Sequence, residues 1–393
     1  MDLETAPPAS AIASYQLRFT GDGGVYFGVW MVNLLLMVVT LGLFTPFARR
    51  RNVKYFYAHS DIAGSPLEFT GGLRRMFLGY LMFFGLYLAY SIASHTEQNV
   101  VAATLALAWM VLSPWLWASA VRFRTVSTRW RGIRGEFQAS WRETYAASAP
   151  MLLFAGVAGA GGIAAGLLDL PRPAPHWIGL GVLVFLAISL WVLVRQEYNY
   201  ARLRVLRTSF GGHSGRWQVP FGALLKITAL AVAFFLGIVA VIAGLVAIAA
   251  AVAGGGMAMF GKGKEAIVLM IVVGIFGSFF AFYLAAGPAL AWREARKFAL
   301  VWNNTALGTA ARFSSNLRSG AFVKLRIRNM LLTMVTMGFW RPFAITSEYA
   351  MKLDSVTLHV EGGLDQLVGQ MLQRQPGTVG DAVADAIGFD MVG

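Results

Sequence analysis

Six stretches of this chain stay apolar long enough to cross a bilayer, near residues 76–94, 100–118, 149–168, 177–194, 224–253 and 266–291. A helix needs roughly 17–25 such residues to cover about 30 Å of hydrocarbon. Only HTEQN separates the first from the second, and DLPRPAPH the third from the fourth. Connections that short join antiparallel neighbours, so the six read as three transmembrane helical hairpins. The stretch 224–253 exceeds a single crossing and ends in AVAGGG, so it tilts or runs out of the bilayer. Composition agrees: 57% of the 393 residues are apolar and 13% charged, against roughly 45–50% and 25% for soluble domains. An α-helical polytopic membrane protein follows, as one domain.

Charge sets the expected orientation. Of the 33 Lys and Arg residues, all but Arg172, Lys262 and Lys264 fall on one side of the three hairpins. Short translocated loops are poor in Lys and Arg, so the basic side, with both termini, is expected in the cytoplasm. The net charge of +14 therefore records topology. Nucleic acid is not an expected partner, because the basic residues spread evenly over the loops instead of clustering among stacking aromatics. The segment MDLETAPPASAIASYQ opens acidic with no apolar core, so no signal peptide is expected.

The two ends of the chain match each other. NLLLMVVTLGLFTPFA (33–48) aligns without a gap on NMLLTMVTMGFWRPFA (329–344), pairing Asn33 with Asn329, Thr40 with Thr336, Gly42 with Gly338, Pro46 with Pro342 and Phe47 with Phe343. Arg18-Phe19-Thr20 and Arg312-Phe313-Ser314 precede the two copies, and Gly71-Gly72 and Gly362-Gly363 follow them. The copies extend over 17–72 and 311–363 inside a domain 1–363, with a tail over 364–393.

After each copy comes an alternating stretch with central turn residues, FYAHSDIAGSPLEFTGG and YAMKLDSVTLHVEGG, which has the pattern of a β-hairpin. Weaker relatives follow the helical hairpins: FRTVSTRWRGIRGEFQ, YARLRVLRTSFGGHSGRWQV and FALVWNNTALGTAARFSS. Open sheet edges cannot lie in hydrocarbon, so all five β-hairpins are expected in the cytoplasm, where they can pair into one sheet under the helices. Strands on one side, before and after the repeated segment, forbid a single crossing between them. The apolar core Asn329–Trp340 covers only about 18 Å as a helix, and Lys324, Arg326, Arg328 and Arg341 bracket it. Both copies are expected to be re-entrant or interfacial; a full span in both, with eight crossings and an outward C-terminus, is the alternative.

The run Asn-x-Leu-Leu-x-x-x-Thr-x-Gly with Pro-Phe-Ala after it, the following Tyr and the Gly-bounded hairpin resemble the YjgN-like family of bacterial inner-membrane proteins, a family of unknown function. The resemblance covers residues 17–363. The chain departs from it at Phe47 and Phe343, where that family usually has Trp. It implies a location and a fold, and it implies no reaction.

Motifs for chemistry are sparse. His59, His95, His176, His213 and His359 have no metal-ligand spacing, GGGMAMFGKGKE is not a phosphate-binding loop, and no GxSxG occurs. With no Cys, thiolate sites and disulfides are excluded. No enzyme, cofactor or metal is therefore expected. The spans carry no ionisable residue in their central turns, the usual mark of coupled transport. Ser91, Ser113, Ser189, Thr228 and Ser278 can bond to their own helices, and Pro114 and Pro288 can kink theirs.

The candidate intramembrane polar and structural residues are Asn33, Thr40, Asn329 and Thr336. Gly42, Pro46, Gly338 and Pro342 shape the return of the chain. Arg49, Arg50, Arg51, Arg122, Arg124, Arg293, Arg296 and Lys297 stand near span exits, where anionic lipid headgroups attract cations. Glu197, Tyr198 and Glu294 stand there as isolated titratable groups. The expected function is a membrane scaffold with a cytoplasmic β layer that binds a partner or lipid headgroups. The alternative is a transporter or channel for a small or apolar solute.

Overall fold

One unit, strand–helix–helix–strand, recurs five times in the computed structural model, which describes residues 12–167, 175–252 and 264–374. The first unit is β2 (Arg18–Phe19), α1 (Gly23–Val39), α2 (Thr45–Ala58) and β3 (Ser60–Ile62). The second is β4 (Ser65–Phe69), α3 (Leu73–His95), α4 (Asn99–Val126) and β5 (Thr128–Trp130). The third is β6 (Ile133–Phe137), α5 (Trp141–Leu167), α6 (Pro175–Leu206) and β7 (Thr208–Phe210). The fourth is β8 (His213–Trp217), α7 (Phe221–Val252), α8 (Lys264–Asn303) and β9 (Thr305–Leu307). The fifth is β10 (Ala311–Ser315), α9 (Ser319–Val335), α10 (Arg341–Leu353) and β11 (Val356–Glu361). A strand β1 (Ile12–Gln16) precedes the first unit and a helix α11 (Leu364–Arg374) follows the last.

All strands belong to one antiparallel sheet in the order β1-β11-β10-β9-β8-β7-β6-β5-β4-β3-β2. The two ends of that order, β1 and β2, are separated in the chain by Leu17 alone, whose N–H donates to the Val356 carbonyl at 2.9 Å. A single N-terminal segment thus pairs with β11 through Ile12↔Glu361 to Gln16↔Thr357, and with β3 through Arg18↔Asp61 and Phe19↔Ser60. This closes the sheet into a ring and removes the open edge at which sheets aggregate. Within the ring, the turns at Ala63-Gly64, Arg131-Gly132 and Gly211-Gly212 hold both residues at positive φ. That is the backbone a two-residue turn needs to follow strand twist, and glycine at the second position adopts it without strain.

Four of the five expected β-hairpins are present as β3–β4, β5–β6, β7–β8 and β9–β10. The fifth needs correction. Residues 349–363 hold one strand, β11, paired with β10 on one side and β1 on the other. DSVTLHVE has no central turn residue, so the strand runs straight through and its second partner comes from the other end of the chain.

The ring packs its inward alternation around Ile133, Val356, Leu358 and Val360. Residues after Gly363, read from sequence as the start of a tail, form α11, and its Leu364, Leu367 and Met371 join that core. Their i, i+3, i+7 spacing puts them on one face, and burying each such side chain stabilises by about 1.5–3 kcal/mol. Residues 375–393 of the tail lie outside the described part.

Each helix packs on the next in the chain, and α10 packs on α1, so the helices form a second ring beside the sheet. Among the described residues five helices are long and apolar enough to cross a membrane: α3, α4, α5, α6 and α7. They coincide with five of the six apolar stretches, and the sixth lies inside α8. Their most apolar windows bury almost nothing, between 0% and 11%. Within each pair the two helices pack on one another, α3 on α4, α5 on α6 and α7 on α8, while their outer apolar faces stay uncovered.

Candidate functional site

The matched ends of the chain form two helical hairpins broken in the same way. Thr40 donates its hydroxyl to the Leu36 carbonyl at 2.6 Å and accepts the Phe44 N–H at 3.0 Å. Thr336 does the same with Leu332 at 2.7 Å and Trp340 at 2.9 Å. One hydroxyl thereby satisfies a carbonyl at the end of the first helix and an amide at the start of the second, groups a helix break otherwise orphans. Gly42 at φ +89° and Gly338 at φ +98° carry the chain through the reversal, a conformation that costs an L residue roughly 1–2 kcal/mol. Pro46 and Pro342 then start α2 and α10, where no amide is needed.

Asn33 and Asn329, each 1% exposed, clamp these hairpins. Asn33 Nδ2 donates to Asn52 Oδ1 at 3.0 Å, and its Oδ1 accepts from Arg51 Nη1 at 3.3 Å. Asn329 Nδ2 reaches the equivalent residues of α10, Ser347 Oγ at 3.0 Å and Glu348 Oε1 at 3.2 Å, and also the Ala344 carbonyl at 3.4 Å. Each asparagine bonds to its own return helix: α1 packs on α10, and these bonds run within each copy. Ser347 stands where the first copy has Arg51, and Asn329 Oδ1 is left without a donor.

The second feature is a cavity of about 510 Å³ between α4, α6, α8 and β8. Trp117, Glu197, Arg204, Trp217, Glu294 and Lys297 are on its wall. Glu197 and Glu294 stand at the same place in their units, eleven residues before Thr208 and before Thr305. Trp117 holds that place before Thr128 and stacks on Tyr200 with centroids 3.9 Å apart. Arg204 and Arg124 likewise share a position, four residues before their strands.

Both carboxylates are saturated. Glu197 Oε1 accepts from Lys297 at 2.8 Å and Oε2 from Arg293, which also holds Thr228 Oγ1 at 3.0 Å. Glu294 Oε1 accepts from Lys352 at 2.7 Å and Oε2 from Arg326 at 2.7 Å. Arg326 also pairs with Glu348 Oε2 at 2.9 Å, tying the network to the Asn329 clamp. Burial pushes the Glu294 carboxyl up, but the Lys352 ammonium and the Arg326 guanidinium outweigh it and hold the group below its ordinary value. At Glu348 burial wins: the carboxyl is raised, with the nearby Glu294 charge adding to the effect.

The expected headgroup cations divide. Arg51, Arg293 and Lys297 are engaged in the bonds above; Arg50 donates to the Gly71 carbonyl at 3.0 Å, and Arg122 to the Ala139 carbonyl at 3.3 Å. Arg296 lies over the Trp292 ring, while Arg49 and Arg124 are exposed. Sequence reading passed over Arg204 and Lys352, took Arg326 only as a charge bracketing a short apolar core, and left Glu197 and Glu294 as isolated residues. Registering each unit on its first strand residue after the helix pair exposes the shared positions. Among the described residues no cluster of three or more metal-ligating side chains comes together.

Residues 14–386 match the family DUF898, described as bacterial protein of unknown function, and the chain belongs to that family. It is 29% identical over 133 residues to inner membrane protein YjgN of Escherichia coli O157:H7, covering 33% of each chain. It is 29% identical over 145 residues to the protein of that name from Salmonella typhimurium, covering 36% of each. The match thus spans about a third of the length of these relatives. No solved structure matches. With five membrane-length apolar helices, the chain is a multi-pass inner-membrane protein of a family whose function is unknown.

Proposed function

We propose that this member of the family is an inner-membrane scaffold in which a cytoplasmic β ring holds helical hairpins apart, so that lipid fills the space between them and anionic headgroups meet the basic exits. The supporting observation is that none of the five membrane-length helices among the described residues buries more than 11% of its most apolar window. Leu107, Val157, Leu183 and Val241 are all exposed at over half of their surface, and in water each would cost about what burial of a large apolar side chain returns. Lipid supplies that burial. In this reading α3–α4, α5–α6 and α7–α8 cross six times, while α1–α2 and α9–α10 enter and return. Pairing of β2 with β3, and of β11 with both β10 and β1, favours an even number of crossings in every unit.

The natural chain has no Cys, so single-cysteine variants report topology directly. Gln98→Cys, between α3 and α4, should react with an impermeant maleimide on intact spheroplasts, and Ser214→Cys, in β8, only on inverted vesicles. Labelling of both from the same side refutes the arrangement. The 510 Å³ cavity favours a second reading, a transporter or channel for a small solute, which uptake by proteoliposomes would test.

A further inference from the structure

Two donors on the cavity wall have nothing to bond to, and no carboxylate oxygen there is open. Glu197 and Glu294 each spend both oxygens on cations of neighbouring helices. Arg204, by contrast, is bonded to no carboxylate or carbonyl among the described residues. It is exposed on the cavity wall, and Arg124 of α4 is close enough to repel it. The indole N–H of Trp217 on the same wall also lacks an acceptor. The wall's other charged groups are spent in ion pairs, Lys297 with Glu197, and Glu294 with Arg326 and Lys352, so the unpaired charge on the wall is that of Arg204, with Arg124 near it. Two like charges side by side are costly, and an arriving anion relieves that cost.

The surroundings select the kind of anion. Toward the tips of the same hairpins, residues 100–121 of α4 and 177–194 of α6 contain no ionisable side chain, and most are exposed. A charged base beneath apolar, uncovered helices matches an amphiphile with an anionic head and hydrocarbon chains. A guanidinium offers paired donors to phosphate oxygens. We propose that the cavity receives the phosphate group of an anionic phospholipid, held by Arg204 with Arg124, its acyl chains rising between α4, α6 and α8. The inference rests on the membrane reading above and narrows its diffuse headgroup contacts to one site.

The test uses the full chain in detergent with three probes: dioctanoyl phosphatidylglycerol, dioctanoyl phosphatidylcholine and inorganic phosphate. Binding is read by native mass spectrometry and by thermal shift. Phosphatidylglycerol should be retained and raise the melting temperature, phosphatidylcholine less so because its choline meets the arginine pair, and inorganic phosphate least. Arg204→Ala should weaken phosphatidylglycerol binding about tenfold, the scale of one charge-assisted hydrogen bond. Its lipid-free melting temperature should match or exceed that of wild type, since it removes an unpaired cation; a purely structural arginine would lower it. Arg204→Lys should keep part of the affinity and serves as the readout where the alanine variant does not fold. Arg202→Ala, exposed on the same helix and absent from the cavity wall, should bind as wild type. Equal binding by wild type and both Arg204 variants, or equal loss from Arg202→Ala, overturns the site. Stabilisation by inorganic phosphate as strong as by the lipid overturns the lipid assignment. The cysteine-labelling experiment is independent of all these outcomes, so failure here and failure of the topology are distinguishable.

Discussion

Replacing Glu294 by Gln tests whether the ion network holds the units together. The carboxylate joins α8 to α9 through Arg326 and to α10 through Lys352, each at 2.7 Å. Charge-assisted hydrogen bonds contribute about 1.5–3 kcal/mol each. The three side chains are 34%, 30% and 25% exposed, so solvent weakens both bonds. A loss of about 2–3 kcal/mol in total is expected after that discount.

The pH profile carries the sign. Glu294 is held below its ordinary value, so its contribution is complete above the unfolded pKa of about 4.3 and disappears as pH falls through the folded one. The Glu294→Gln variant should melt several degrees below wild type at neutral pH and show a flatter acid limb. Glu348 behaves oppositely: its raised carboxyl carries a penalty when ionised, complete above the folded pKa and relieved as pH falls through it. Glu348→Gln removes that penalty and keeps an acceptor for Asn329 Nδ2, so it should melt at or above wild type near neutrality. Thermal unfolding in detergent across pH reads both. If Glu294→Gln melts with wild type, or Glu348→Gln falls further than Glu294→Gln, the assignment of which carboxylate stabilises the network is wrong.

Thr40→Val and Thr336→Val should each cost about 1–2 kcal/mol, because each strands one amide at its break, Phe44 or Trp340; a loss in only one copy would contradict their equivalence. Gly338→Ala meets no atom within 4 Å, so its whole cost is the φ of +98°, roughly 1–2 kcal/mol. Gly320→Ala, equally uncrowded but helical, should be neutral or stabilise by roughly 0.5–1 kcal/mol. Met371→Ala, at a side chain 1% exposed, should cost about 2–5 kcal/mol and release α11 to limited proteolysis before the ring itself unfolds.

What could be read in advance depended on how local its cause was. The apolar stretches were legible because a helix in lipid satisfies its own backbone and needs no partner to be recognised. The matched ends were legible because α1–α2 and α9–α10 have nearly equal lengths, so their residues align without gaps. The three middle units share the same strands and helices, yet helices of 23 to 40 residues replace the short ones, which erases any gapless alignment. Hairpin strands announced themselves through turn residues. Closure of the ring did not, because Ile12–Gln16 meets Val356–Glu361 across nearly the whole chain. The hydrogen bond between Ser14 and His359 is a pairing that no local pattern marks.

The cavity follows from the ring. Five equivalent helices lead into five equivalent strands, and their residues eleven places before the strand are Arg49, Trp117, Glu197, Glu294 and Ile345. Four places before it they are Phe56, Arg124, Arg204, Val301 and Lys352. Strand pairing and helix contact constrain other positions of each unit, which leaves these free to differ. Where neighbouring units carry opposite charges, as at Glu294 and Lys352, they bond across the gap and fix the spacing of the hairpins. Where they carry like charges, as at Arg124 and Arg204, no such bond forms, and Arg204 lines the cavity. A ring of unlike units can therefore be rigid on one side and receptive on the other, and the receptive side faces α4 and α6, whose most apolar windows bury only 6% and 11%.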